Sequence, residues 1–258
     1  YALITRPDVA AAVSMCARYL QEPREAHLHA AQRILRYLHH TRDMPLAYHK
    51  VNTFKNESIA KIVCHCDSSW ANDIDTRRSR FGYGVYVAGA LISWCSKLHA
   101  SISLSTAEAE YTAATEAGKH VLWVQHLLAF MLPSVPGQPA IMFEDNAACR
   151  IMASRKQVSG RNKHFELKQH YIRYLVSVNK IVMRAVDTKD QIADVFTKPL
   201  ARPAFEVHRD ALLHGLPAKF SACRVDKGAE HATGATKGAK QVRPVTLRPA
   251  ARAHKATN

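Results

Sequence analysis

Residues 105–131 read STAEAEYTAATEAGKHVLWVQHLLAFM, a run of helix-forming residues with no proline and a single glycine. Ser105 followed by Glu108 is a helix-opening signature, in which each side chain satisfies the other residue's backbone N–H. At about 100° per residue, Ala117, Val121, Val124 and Leu128 fall on one stripe. A stripe of that length must be buried against another layer. The flanking sequence supplies the layer. Upstream, Ile59–Cys66 is rich in β-branched and apolar residues and reads as a strand. Gly82–Ala88 and Leu91–Ser96 read as two more strands, joined as a hairpin by a tight turn at Gly89-Ala90. Downstream, a loop with Pro133, Pro136, Gly137 and Pro139 leads to a short apolar strand, Ala140–Phe143. A short helix over Asn146–Ala153, a helix over Phe165–Val178, a strand over Ile181–Val186 and a helix beginning at Gln191–Phe196 complete the order. Three strands, helix, strand, two helices, strand and helix make an α/β layer with a mixed sheet.

Glu110 is out of place on this helix unless it has a task. It lies within roughly 40° of the buried stripe, whereas Glu108 lies roughly 160° away from it. A carboxylate aimed at the sheet without a partner is costly, so Glu110 calls for a cation. Two other acids end apolar strands. Asp67 closes Ile59–Cys66, and Asp145 follows Ala140–Phe143 and also stands where it could cap the next helix. In Asp190-Gln191-Ile192-Ala193-Asp194 the two aspartates are one turn apart. Asp190 is in the capping place, which leaves Asp194 as the ligand candidate. Carboxylates converging at one sheet edge suit a hard cation bound through oxygen, with Mg2+ the natural choice. Two such ions about 4 Å apart can activate water and stabilise a leaving oxygen in phosphodiester hydrolysis.

Charge agrees with a phosphate-bearing partner. The 258 residues carry 36 Lys/Arg against 21 Asp/Glu, a formal charge of +15. Nine Lys/Arg and two Asp/Glu lie in residues 217–258, so residues 1–216 keep a net +8. A basic body favours nucleic acid, because neutralising phosphates releases counterions. Hydrophobic residues make up 47%, enough for a real core. The six cysteines are scattered and read as reduced, in an intracellular protein. Cys64-His65-Cys66 has no second Cys/His pair at finger spacing, and strand alternation accounts for it. The longest apolar stretch, Val121–Leu132, is too short to span a bilayer, and no signal peptide is visible. At the start, Pro7 opens a helix carrying Val9, Val13, Ala17 and Leu20. Pro23 opens a second, with Ala30, Ile34, Leu35 and Leu38 on one face, and this helical pair ends near Pro45. From Pro217 the chain is rich in Ala, Lys, Gly, Thr and Pro and is expected to be disordered.

Thr5-Arg6-Pro7-Asp8, Arg33-Ile34-Leu35-Arg36-Tyr37-Leu38, Cys66-Asp67-Ser68-Ser69-Trp70-Ala71, Arg77-Arg78-Ser79, Gly82-Tyr83, Ser93-Trp94 and Ser96-Lys97 occur in this order. Leu104-Ser105-Thr106-Ala107-Glu108-Ala109-Glu110-Tyr111, Asp145-Asn146, Lys163-His164, Asp190-Gln191-Ile192-Ala193-Asp194 and Thr197-Lys198-Pro199-Leu200 follow. Taken together over residues 1–216, they resemble the end of the Pol polyprotein of copia-type LTR retrotransposons. The resemblance implies a ribonuclease H-like fold: a five-stranded mixed sheet flanked by helices over residues 56–216. Residues 1–50 would then be the last helical part of the reverse transcriptase, its thumb or connection. The polymerase palm is missing, so no polymerase activity is expected.

The resemblance also implies catalytic and metal-binding roles for Asp67, Glu110, Asp145 and Asp194, which would hold two Mg2+ ions, or Mn2+. The expected activity is endonucleolytic hydrolysis of the RNA strand of RNA–DNA hybrids during reverse transcription. The expected partners are the hybrid and the rest of the Pol polyprotein, with no membrane and no small-molecule cofactor. The alternative is an inactive relic that binds nucleic acid without cleaving it. Asn72, Arg77, Arg78, Lys97, Ser103, Ser105, Asn146, Arg161 and Lys163 are the candidate nucleic-acid contacts. Trp70, Trp94 and Tyr83 are read as core. Glu144 stands where the family usually has cysteine and should alternate to the far face of its strand.

Overall fold

The computed structural model describes residues 2–48, 61–135, 137–155 and 171–221, all of them within the first of the chain's two units, Tyr1–Val225. Among these residues five strands form one sheet: β1 (Ile62–Ser69), β2 (Arg80–Val87), β3 (Ala90–Leu98), β4 (Ala140–Glu144) and β5 (Ile181–Ala185). Their spatial order is β3-β2-β1-β4-β5. β1 pairs antiparallel with β2, and β2 with β3. β4 runs parallel to both β1 and β5. This is the mixed, ribonuclease H-like sheet that the resemblance implied. The hairpin turn lies one residue earlier than expected. Ala88 and Gly89 hold φ of 50° and 87°, the pair of left-handed residues that a two-residue turn requires to match strand twist.

Alternation along the strands sorts the side chains between two cores. Cys64, Cys66, Val85 and Met142 face α3 (Thr106–Met131), whose Ala113, Ala114, Ala117, Val121 and Val124 are buried on that side. α4 (Ala147–Ser154) and the helical residues 171–177, here α5, cover the same face through Cys149, Ala153, Ile172 and Leu175. Val63, Tyr86, Ile141 and Phe143 face the other way. There they meet Phe196 of α6 (Asp194–Thr197), Leu212 of α7 (Arg202–Leu213) and Phe220 of α8 (Ala218–Ser221). His65 belongs to this second face, stacked on Phe143 with 4.9 Å between ring centroids. It therefore points away from Cys64 and Cys66, as alternation requires. The expected helix over Phe165–Val178 begins outside the described residues, and so do Cys223 and residues 222–258.

Three expectations need correction here. The stretch after Pro217 does not begin as a disordered tail, because Phe220 is buried against His65 and Phe143. The last expected helix does not run continuously from Gln191. A 3₁₀ turn over Thr188–Asp190 comes first, and the helix starts at Asp194. Gln191 is instead buried, its Nε2 donating to the Cys66 carbonyl at 2.8 Å and its Oε1 facing His65 Nδ1 at 3.0 Å. Helix α2 (Glu25–His40) turns Ile34 and Leu38 inward but leaves Ala30 and Leu35 exposed.

Polar contacts tie the N-terminal helices to one another and fasten them to the sheet domain. Arg6 pairs with Asp8 at 2.7 Å and with Thr41, and the Tyr37 hydroxyl also donates to Asp8 at 2.7 Å. α1 (Ala10–Cys16) places Ser14 Oγ 2.7 Å from Arg80 of β2. Arg18 then pairs with Asp73 and Asp75, and Trp94 Nε1 donates to the Ala2 carbonyl at 2.8 Å.

Candidate metal centre

β1 carries Asp67 to the edge of the sheet and leaves it 3% exposed. Its Oδ2 accepts the hydroxyl of Thr197, the last residue of α6. That contact depends on Gly82 of β2: a Cβ there would run into the Cβ of Phe196, so only glycine lets α6 lie so close to the sheet. Burial raises the Asp67 pKa, Thr197 opposes the rise, and the charge of Asp145 adds to it.

Glu110 reaches the same place from α3, as its helical phase required, and is 4% exposed. The Ser68 backbone N–H donates to its carboxylate. Its Oε2 is buried without a hydrogen-bond partner. Burial, then Glu144, Asp67 and Asp145, push its pKa up to about 11. The helix-opening pair differs in detail from the expected one. Ser105 Oγ accepts from Glu108 N at 3.1 Å, but Glu108 returns to Leu104 N at 2.7 Å rather than to Ser105.

Asp145 arrives from the end of β4. Asn146, not Asp145, caps α4, its Oδ1 accepting from Cys149 N at 3.1 Å. The Asp145 carboxylate thus remains for the cluster, with Oδ2 accepting from Thr188 Oγ1 at 3.0 Å. One carboxylate oxygen each from Asp67, Glu110 and Asp145 lies within 4.8 Å of the others. Three acids so close cannot all stay ionised without a counter-charge. A buried carboxylate oxygen with no hydrogen-bond partner, aimed into an all-oxygen cluster, is the donor set of a hard divalent cation. The residues present fit one.

Asp194 stands apart from that trio. It is 5% exposed, its carbonyl accepts from Thr197 Oγ1 at 3.2 Å, and it pairs with Lys198 Nζ at 2.8 Å. Burial and Asp67 raise its pKa to about 7 against the pull of Lys198. Asp190 does not cap a helix. It pairs with Lys219 at 2.6 Å. Glu144 does alternate to the α3 face, yet it stays near the centre. Its Oε2 accepts from Cys66 Sγ at 3.4 Å and its Oε1 from Asn146 N at 3.0 Å. Burial holds its pKa well above the usual carboxylate range.

The candidate nucleic-acid contacts divide by position. Asn72, Arg77, Arg78 and Lys97 are exposed. Ser103 is buried, and its carbonyl accepts from Trp70 Nε1 at 2.9 Å. Ser105 and Asn146 have their side-chain oxygens committed as helix caps. Arg161 and Lys163 lie outside the described residues. Tyr83 is core, at 3% exposed, and Trp94 is half-buried, but Trp70 is 48% exposed two residues past the end of β1's buried run. Sequence reasoning assigned no role to Thr188, Thr197 or Lys198. Thr197-Lys198 lay in a family stretch, but nothing local ties it to Asp67, 130 residues away.

No family model matches the chain. It is 33% identical over 211 residues to the retrovirus-related Pol polyprotein of transposon TNT 1-94 from Nicotiana tabacum, covering 81% of this chain and 15% of that protein. It is 33% identical over 206 residues to the corresponding polyprotein of transposon RE2 from Arabidopsis thaliana, covering 80% of this chain and 14% of that protein. The Ty1-NL2 Gag-Pol polyprotein of Saccharomyces cerevisiae is 27% identical over 209 residues, covering 81% of this chain and 12% of that one. The chain thus spans about 15% of the length of such relatives. Among solved structures, the N-terminal ribonuclease H domain of rv2228c from Mycobacterium tuberculosis overlaps 59% of this chain and 98% of its own. The TM-score is 0.39, at 13% identity. A ribonuclease H1 from compost, LC11-RNase H1, solved with an RNA/DNA hybrid, overlaps 53% of this chain and 94% of its own, with TM-score 0.38 and 14% identity. By its sequence relatives, the chain belongs to the retrovirus-related Pol polyproteins of transposons, of which it is a segment.

Proposed function

We propose that this segment hydrolyses the RNA strand of RNA–DNA hybrids during retrotransposon reverse transcription, with divalent ions, Mg2+ foremost, held by Asp67, Glu110 and Asp145 and flanked by Asp194. The observation that carries the reading is the convergence of three carboxylates, one of which, Glu110, keeps an oxygen buried without a hydrogen-bond partner. That it happens in a chain of net charge +15 strengthens it, since acids gathered against that excess need a reason. When bound, the ions would activate a water and neutralise the leaving oxygen.

The chain's own groups orient the ligands. Thr197 fixes one Asp67 oxygen, Ser68 N–H fixes Glu110, and Thr188 fixes Asp145. In the cleavage, the water oxygen bonds to phosphorus as the P–O3′ bond breaks, and a proton ends on the 3′ oxygen. The products carry a 5′-phosphate and a 3′-hydroxyl. The exposed Arg77, Arg78 and Lys97 serve as phosphate contacts, which position the duplex without reading sequence. Discrimination of RNA from DNA rests on 2′-hydroxyl contacts across the minor groove. Residues 2–48 are the end of the reverse transcriptase region, docked on β2 and β3.

The test is incubation with a hybrid labelled in the RNA strand and Mg2+, beside Asp67→Asn. Cleavage by the wild type and its loss in the variant are expected. Equal RNA loss in both proteins rejects the chemistry. Salt-sensitive hybrid binding with no cleavage by either protein would support the relic reading instead.

A further inference from the structure

Lys198 is a cation already present at the acidic cluster. Its ammonium sits 2.8 Å from Asp194 Oδ1, one helical turn ahead, and Thr197 Oγ1 lies against both Asp67 and the Asp194 carbonyl. Asp194 is the one carboxylate of the four that lies outside the close trio. The Lys198 side chain is 36% exposed, and its partner's is 7% exposed. The ammonium is therefore held against a buried carboxylate by a side chain that is itself partly exposed. The ammonium thus sets a positive charge directly against Asp194.

We infer that Lys198 occupies the Asp194 side of the centre as a built-in counter-ion, so that a divalent ion bound between Asp67 and Asp194 must displace it. The centre is then unequal. The side formed by Asp67, Glu110 and Asp145 is open to an ion, and the side formed by Asp67 and Asp194 is already neutralised by the chain itself. Lys198 is a positioning residue under this reading, and it sets how readily the second ion enters. A surface pair at helical i,i+4 spacing has only a slight effect on stability. This pair differs because Asp194 is buried and linked to Asp67 through Thr197, so moving the ammonium changes the charge beside the centre.

The inference rests on the metal-centre reading above, and calorimetric titration of the full chain with Mn2+ alone separates the two. Wild type, Lys198→Met, Lys198→Arg and Asp67→Asn are compared, with folding checked by thermal melting in chelator. The wild type is expected to bind one ion tightly and a second weakly. Lys198→Met keeps the stem and loses the charge, and should bind the second ion roughly tenfold more tightly, because a competing unit charge at contact distance has gone. Lys198→Arg should stay within about twofold of wild type. Should Lys198→Met fail to fold, Lys198→Gln replaces it with the same expectation. A second-ion affinity unchanged on loss of the charge, with the first ion still bound, overturns the inference alone. Binding of no ion by wild type or by Lys198→Met overturns the metal centre and the inference together.

Discussion

Thr197 donates its hydroxyl to Oδ2 of Asp67, so the first acid of the cluster is aimed by a residue 130 positions further along the chain. Ser96 Oγ donates to the Phe196 carbonyl at 2.6 Å and holds the same helix from β3. Thr197→Val keeps the shape and removes the donor. It should cost about 1–2 kcal/mol of stability and weaken the first Mn2+ site roughly tenfold, an effect typical of losing a residue that orients a ligand. Thr197→Ser should restore both. Calorimetry and chemical denaturation read the two effects, and wild-type affinity in Thr197→Val rules the alignment out.

Glu110 illustrates a conflict between fold and site. Its Oε2 is buried without a hydrogen-bond partner, and its neighbours are acids. Glu110→Gln removes the incipient charge and keeps the volume. Without metal the variant should be more stable than wild type by about 1–2 kcal/mol, a rise in melting temperature of roughly 3–6 °C for a domain of this size. Divalent binding should be lost at the same time. A lower melting temperature in chelator would mean that the carboxylate is satisfied in a way the cluster does not reveal.

Stability of the metal-free protein should fall with rising pH. Glu110 is shifted from 4.5 to about 11 and Asp194 from 3.8 to about 7. For both, the folded-state pKa lies above the unfolded one, so the folded chain binds more protons across these windows. The stabilisation is complete below about pH 4, and is lost through pH 7 for Asp194 and further above it for Glu110. Mn2+ competes with those protons, so the melting shift it produces should grow from pH 6 to pH 8.5. Melting curves in chelator and in Mn2+ across that range decide it, and a pH-independent shift would contradict the assignment.

Gly82→Ala tests whether the sheet seats α6. The added methyl meets the Cβ of Phe196, with Thr197 Cγ2 at 3.1 Å behind it. Overpacking of this kind costs about 1–3 kcal/mol, and here it should also pull Thr197 and Asp194 off Asp67. Weakened Mn2+ binding together with lost stability is expected. Lost stability with unchanged ion affinity would show that α6 moves as a unit without disturbing the acids.

Most of the layer order was legible because periodicity is local. The inward phase of Glu110 followed from α3 alone, and the strand-end places of Asp67 and Asp145 followed from the apolar runs before them. What local pattern could not supply was long-range. Gln191 interrupts the last helix because its amide reaches the Cys66 carbonyl, 125 residues back in sequence. The choice of Asn146 over Asp145 as cap is a matter of one residue of register, which capping preference does not resolve. Leu35 and Ile34 have similar hydrophobicity, and which of them turns inward depends on the neighbour that α2 packs against, α1. Phe220 escaped because the basic, alanine-rich sequence around it masks a single aromatic anchor.

The strand β1 stands at the centre of the sheet, with a hairpin on one side and two parallel strands on the other. Its acid therefore meets Asp145 only once the second half has been synthesised and docked, and meets Thr197 only after that. A chain stopped short of residue 197 would hold the whole sheet and all four acids, yet lack the hydroxyl that aims Asp67. The set of Asp67 thus reports whether the segment that follows β5 has docked on the sheet.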